Sequence, residues 1–143
     1  MRSVTAAALG VLLAWTRSAA ALMPPEVYEE GRNSAPYHLE VRIVAMTPDD
    51  DPIGQCAVEA VVETVHRDGS ARLAPGDAVT FDVDCVRADA DPNQILDGVL
   101  YERVEDLAPG TLLDVYLTDA FLGYEVVLGQ VTVIGEAPVP AED

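Results

Sequence analysis

The chain has 143 residues, with 25 acidic residues against eight arginines and no lysine, and its formal net charge is −17. This length fits one domain, and so acidic a chain lacks the basic stripes with which proteins bind nucleic acid or anionic membrane surfaces. We therefore expect a single acidic domain with no nucleic-acid partner and no stable membrane insertion.

The first 21 residues predict an export signal. Arg2 precedes an apolar run over residues 4–15, and small residues follow at 18–21. The run is shorter than the roughly 20 residues that a membrane-spanning helix needs, and small residues suit a signal peptidase. We expect cleavage before Leu22 and a protein that is periplasmic or secreted. Loss of the two arginines in the signal would make the net charge −19.

Residues 22–35 predict a short helix and a linker before the main domain. Pro24 and Pro25 are suited to the first turn of a helix, and Gly31 is suited to its end. At the other terminus, residues 135–143 combine prolines and acids without an apolar pattern, which predicts a flexible acidic tail. The main domain is expected over residues 36–134.

Alternation of apolar and polar residues predicts five strands in this domain. The clearest example is the segment around Phe81, where apolar residues at every second position alternate with Thr80, Asp82 and Asp84. Prolines and acids predict a loop over residues 47–54, and Asp68 followed by Gly69 predicts a turn. The five predicted strands cover residues 37–46, 55–66, 79–85, 111–117 and 124–134.

Residues 92–107 show a different pattern. Apolar residues recur at spacings of three and four from Ile95 to Leu107, which predicts a connecting helix. Gly98 is unfavourable inside a helix, and a strand over residues 99–104 remains the alternative.

Three strands, a connecting helix and two closing strands resemble the OB-fold, a small five-stranded Greek-key barrel. Among exported proteins the order is similar to that of netrin-like domains, which include the tissue inhibitors of metalloproteases. Those inhibitors present an N-terminal cysteine to a zinc ion, and the expected mature start at Leu22 has none, so we do not expect this activity. A β-sandwich is the alternative fold; it requires strands at 99–107 and 71–73.

Cys56 and Cys85 are the only cysteines, and in an exported chain they predict a structural disulfide. A hairpin centred between Ser70 and Ala71 would place the two residues directly opposite each other on neighbouring strands. Opposed residues have Cα atoms about 4.5 to 5.5 Å apart, which suits a disulfide.

An acidic segment predicts a candidate site for Ca²⁺. Its members are Asp82, Asp84, Asp89, Asp91 and Asn93, and the last three repeat the first ligand spacing of an EF-hand loop. Gln94 and Leu100 stand where that motif needs glycine and glutamate, so an EF-hand is not expected. The ordinary interpretation is a solvated acidic surface without a cofactor.

No catalytic signature is present. The mature chain offers Ser34 and Ser70 as serine nucleophiles and His38 and His66 as bases, without a Gly-x-Ser-x-Gly turn or a His-Glu-x-x-His helix. We therefore do not expect an enzyme, and a small secreted hydrolase that depends on His66 is kept as an alternative.

The expected function is that of an exported, monomeric binding or accessory module. The resemblance to OB-folds implies ligand binding by loops, here residues 47–54 and 118–123, where Phe121 and Leu122 are the candidate contacts. Their more ordinary role would be to cap the barrel. The expected partner is a basic or mixed-charge protein, and Ca²⁺-dependent binding is the alternative.

Overall fold

A computed structural model describes residues 23–95 and 99–136 of the chain. The predicted signal at 1–21 and most of the predicted tail lie outside these residues. Each of the five predicted strands is present within a few residues of its expected bounds. The elements are the helix α1 (Pro25–Ser34) and the strands β1 (Tyr37–Thr47), β2 (Ile53–Asp68), β3 (Ala78–Val86), β4 (Glu102–Arg103), β5 (Leu112–Asp119) and β6 (Tyr124–Gly135).

Five strands close into a mixed barrel, which confirms the OB-like fold. Antiparallel pairs join β1 to β2 and β5, β2 to β3, and β5 to β6. A short parallel pairing of β3 with β6, at Phe81 and Asp82, completes the circle. The two-residue β4 is an extra strand beside β3. The sandwich alternative is wrong, because residues 71–73 lie in a loop and the sheet closes on itself.

The barrel interior is built from the apolar faces that alternation predicted. Leu39 and Val41 of β1 are fully buried, as are Leu113 and Val115 of β5. Burial of these side chains is the main driving force for closing the sheet, since each contributes about 1.5 to 3 kcal/mol on leaving water. The residues between them point outward and leave the acidic side chains on the outer surface.

The described residues between β3 and β5 do not form the predicted connecting α-helix. It contains two 3-10 helices, Pro92–Gln94 and Val104–Leu107, with β4 between them, and residues 96–98 lie outside the described part. Leu107 is fully buried in the barrel core. One buried apolar residue at the end of a single turn anchors the segment, so the three-and-four spacing does not require a longer helix.

Helix α1 continues beyond the predicted end at Gly31. A side chain at this glycine would place its Cβ 2.8 Å from Leu128 Cδ1 of β6. Gly31 therefore permits close packing of the helix on the barrel. No helix in the described ranges is long and apolar enough to cross a membrane.

The disulfide between Cys56 and Cys85 is formed, with Cα atoms 5.8 Å apart. The predicted register is wrong by two residues, because Cys56 lies opposite Val83 and Cys85 lies opposite Gly54. The bridge is therefore diagonal across the β2 and β3 pair. The symmetric turn that we assumed does not form, since the irregular loop between the two strands moves the centre of the hairpin.

Candidate functional site

The connection between β5 and β6 is a four-residue tip, from Ala120 to Gly123. Asp119 and Tyr124 face each other at its base, and the Ala120 N–H donates to the Gly123 carbonyl oxygen at 3.2 Å. Gly123 has a φ of 89°, in the left-handed region that glycine adopts without strain. The tip is therefore a tight turn fixed by its backbone.

Phe121 and Leu122, the two predicted contact residues, form the centre of this tip. Phe121 is 99% exposed and Leu122 is 85% exposed. The expectation that they cap the barrel is wrong, because side chains this exposed do not cover the core; at the base of the tip the rings of Tyr37 and Tyr124 meet edge to face at 5.1 Å. Two adjacent large apolar side chains in water are contrary to the usual burial preference, and neither belongs to the core cluster formed by the described residues.

A polar cleft of about 450 Å³ lies beside the base of the tip. The Tyr37 hydroxyl donates to Asp119 Oδ1 at 2.9 Å. This hydrogen bond, together with burial, raises the pKa of Tyr37 above its usual value. Burial likewise raises the pKa of Tyr124. Both hydroxyls are therefore protonated at neutral pH. The hydrogen bond from Tyr37 to Asp119 holds the base of the tip in place.

An acidic groove of about 340 Å³ lies on the other side of the tip, along the seam between β3 and β6. Asp82, Asp84 and Glu125 supply its carboxylates, and Leu122 lines its edge. Asp82 and Glu125 face each other in the parallel pairing of these strands. Among the described residues, no arginine or histidine forms an ion pair with these three acids. The groove therefore combines uncompensated negative charge with an apolar rim.

The predicted Ca²⁺ ligands divide between two places. Asp82 and Asp84 lie in β3, whereas Asp89 accepts a hydrogen bond from Arg87 and Asp91 accepts one from the Asn93 backbone N–H. Within the described parts of the chain, no three acidic residues of this set bring carboxylate oxygens within 4.8 Å of one another. A Ca²⁺ site in this segment stays a prediction.

The loop between β1 and β2, the other candidate contact, is organised by Asp49. Its carboxylate accepts hydrogen bonds from the backbone N–H groups of Asp51 at 3.2 Å and Gln55 at 3.4 Å. These bonds lower the pKa of Asp49. This loop presents polar groups and has no large, exposed apolar side chain comparable to Phe121.

The structure also brings together two residues that the sequence leaves 28 positions apart. The rings of His38 and His66 stack at 4.5 Å on the outside of the barrel. Spacing along the chain gave no indication of this contact, because it depends on the pairing of β1 with β2. Ser70 does not join them: its hydroxyl donates to Asp68 at 2.6 Å, and His66 contacts Glu40.

Comparison with known proteins does not assign a function to these features. The chain matches no protein-family model and no curated protein. The features that bear on its function are therefore the exposed tip, the acidic groove and the net negative charge of the chain.

Proposed function

We propose that this protein is an exported binding module that engages a basic or mixed-charge protein through the β5 to β6 tip and the adjacent acidic groove. The observation that carries the proposal is the 99% exposure of Phe121 at the end of a fixed turn. A partner with an apolar pocket for this ring and cationic side chains for the groove fits both features.

The apolar part of the contact is pre-organised. The backbone hydrogen bond of the tip and the Tyr37 contact to Asp119 hold Phe121 and Leu122 outward before any partner arrives. An aromatic side chain presented from a fixed turn loses little conformational entropy on binding, and buried aromatic anchors dominate many protein interfaces. The tip therefore has the properties of an anchor.

The charged part of the contact supports the choice of partner. Asp82, Asp84 and Glu125 lie within the groove beside Leu122, and the whole chain carries 25 acidic residues against eight arginines. Such a field accelerates encounter with a cationic surface and repels an anionic one. Partner selection would then depend on salt, whereas the anchoring of Phe121 would not.

The predicted export supports the same proposal independently of the tip and the groove. The amino-terminal segment predicts a signal peptide, and the disulfide belongs to proteins of oxidising compartments. The partner is accordingly expected among periplasmic or secreted proteins. One chain per complex is the expected stoichiometry.

The test is capture of partners from envelope and culture fractions on immobilised, oxidised protein at low and physiological salt. The retained protein is then purified and titrated against the wild type and against Phe121→Ser. We expect the substitution to weaken binding at least tenfold, and rising salt to weaken the wild type further.

Two matched controls separate this site from general stickiness. Val44 is also an exposed apolar residue, 57% exposed on the barrel wall, so Val44→Ser should retain the partner. Asp82→Asn with Asp84→Asn should lose affinity, whereas Glu29→Gln with Glu30→Gln on α1 should not. Equal binding by Phe121→Ser and the wild type, or no retained protein at either salt, would overturn the proposal.

A further inference from the structure

Both histidines of the chain lie in one cluster on the outer wall formed by β2, β1 and β5. His38 Nε2 lies 2.7 Å from Asp114 Oδ1, and His66 Nε2 lies 2.8 Å from Glu40 Oε2. The His38 ring is held between His66 and Tyr116, whose ring stacks on it at 4.1 Å with planes 11° apart. This histidine cluster is distinct from the tip and the acidic groove.

The cluster contains a pair of like charges that the fold itself brings together. Glu40 and Asp114 face each other in the pairing of β1 with β5, and both point outward. Like charges directly opposite on neighbouring strands are destabilising. The nearest arginine along β1, Arg42, bonds to Glu63 and to the Gly110 carbonyl instead. Within the described residues, the only basic groups at ion-pair distance from this carboxylate pair are the two imidazoles, and an imidazole carries a positive charge only when it is protonated.

One ligand atom from each of His38, His66 and Asp114 lies within 4.8 Å of the others. This is the only such group of three or more His, Cys, Asp or Glu residues in the described part of the chain. Zinc binds imidazole nitrogen and carboxylate oxygen at about 2.0 to 2.2 Å, which places tetrahedral ligands roughly 3.3 to 3.6 Å apart. The three groups are therefore close to a binding arrangement. His38 Nε2 and Asp114 Oδ1, now 2.7 Å apart, must separate slightly as their hydrogen bond is replaced by metal bonds, and His66 must bring a ring nitrogen to the same point.

Rotation of the His66 ring brings its nitrogen to that point. Metal bonds lie in the plane of the imidazole, and the stacked planes of the two rings differ by 28° at present, so one ring must turn. The side chain of His66 is 42% exposed, whereas His38 is 20% exposed and clamped by Tyr116. His38 is thus the most restrained ligand of the set, and His66 is the most movable.

We propose that His38, His66 and Asp114 bind one divalent transition-metal ion, Zn²⁺ or Cu²⁺, with Glu40 beside it as the fourth ligand or as the hydrogen-bond partner of His66. The ion offsets the repulsion between the two carboxylates. Two imidazoles and a carboxylate suit Zn²⁺ and Cu²⁺, whereas Ca²⁺ prefers a shell of six to eight oxygens. Affinity for Cu²⁺ exceeds affinity for Zn²⁺, as for nitrogen and oxygen sites generally.

The test is calorimetric titration of the purified protein with Zn²⁺, Cu²⁺ or Ca²⁺ alone in a non-chelating buffer at pH 7. We expect saturable binding of one Zn²⁺ or Cu²⁺ per chain and no comparable binding of Ca²⁺. His66→Gln should weaken Zn²⁺ binding at least tenfold, and Asp114→Asn should also weaken it. Glu29→Gln removes an exposed acid of α1 and should leave the Zn²⁺ isotherm unchanged.

A spectroscopic readout separates a built site from ions attracted by the acidic surface. The electron paramagnetic resonance spectrum of the Cu²⁺ complex should show coupling to two imidazole nitrogens, and His66→Gln should reduce this to one. The melting curve of each metal-free variant checks that it is folded. Because His66 is the more exposed of the two histidines, its substitution is expected to disturb the fold least. Binding that does not saturate, that Ca²⁺ matches, or that survives His66→Gln unchanged would overturn the site; unchanged binding by Asp114→Asn would overturn that ligand.

Discussion

Two hairpins of the barrel are built in opposite ways. The hairpin of β2 and β3 is bridged by the Cys56 to Cys85 disulfide, and its loop is held by the Asp68 carboxylate. That carboxylate accepts hydrogen bonds from the Ser70 N–H and hydroxyl and from the Leu73 N–H. The hairpin of β5 and β6 ends instead in the exposed apolar pair Phe121 and Leu122, without a covalent bridge between its strands.

The difference separates residues that serve the fold from residues that do not. The Asp68 hydrogen bonds of the first hairpin satisfy polar groups, and its disulfide restricts the unfolded chain. Exposure of Phe121 does neither, because the ring contacts water and shields no core residue. Removing these features of the first hairpin should therefore lower stability, whereas removing the exposed side chains of Phe121 or Leu122 at the end of the second should weaken binding with little change in stability.

The largest expected effect is loss of the disulfide. Replacing Cys56 and Cys85 together by alanine should reduce the free energy of unfolding by roughly 3 to 4 kcal/mol, the chain-entropy value for cysteines 29 positions apart. Urea denaturation of the two proteins measures the change. A reductant should destabilise the wild type and leave the double variant unaffected; equal midpoints for wild type and variant would contradict the structural role of the bridge.

The second effect falls on the backbone of the apolar tip. Gly123→Ala forces a side chain into the left-handed region and places its Cβ 2.5 Å from Thr80 Oγ1. We expect a loss of about 1 to 2 kcal/mol in the free energy of unfolding. Gly76 also has a positive φ, of 96°, but has open space around it, so Gly76→Ala is the matched control for the steric part. If both variants lose the same stability, the contact with Thr80 contributes nothing.

A smaller, pH-dependent effect is expected at Asp68. Hydrogen bonds from Ser70 lower its pKa below the ordinary value of 3.8. A depressed pKa means that the ionised form stabilises the fold above pH 3.8 and that this contribution disappears as pH falls through the lower, folded value. Asp68→Asn should lower the melting temperature at pH 7 and reduce the decline of the melting temperature in acid. Glu29→Gln, at an exposed position of α1, should retain the acid dependence of the wild type.

The smallest effect on stability is expected for Phe121→Ser. Because the ring is exposed, the free energy of unfolding should change by no more than about 0.5 kcal/mol, while partner binding falls. Denaturation and titration of the same preparation compare the two quantities directly. A large loss of stability would show that Phe121 has a packing role and would remove the contrast between the hairpins.

Sequence reasoning was most successful where a property depends on neighbouring residues. Alternation of side chains located the five barrel strands, and the order of those strands indicated the OB-like closure. It was less successful between residues 92 and 107, where periodicity predicted a helix. A spacing of three and four fits a helix, but Leu107 is buried by a single 3-10 turn, and tertiary packing overrode the local pattern.

The candidate sites show the same division. Phe121 and Leu122 were identified from a loop position, yet only the structure distinguished exposure from a role as barrel caps. The histidine cluster was missed because no local spacing encodes it. Its members come from three strands, and their contact depends on a register that includes an irregularity next to His38.

By itself, the sequence determined the acidic charge, the two cysteines available for a bridge, and the inward and outward faces of each strand. These follow from composition and from the two-residue period of a strand, which are local properties. The tertiary structure decided the diagonal geometry of the disulfide, the outward projection of the apolar tip and the meeting of His38 with His66. Each depends on the register between strands distant in sequence, which is selected by packing of the whole core.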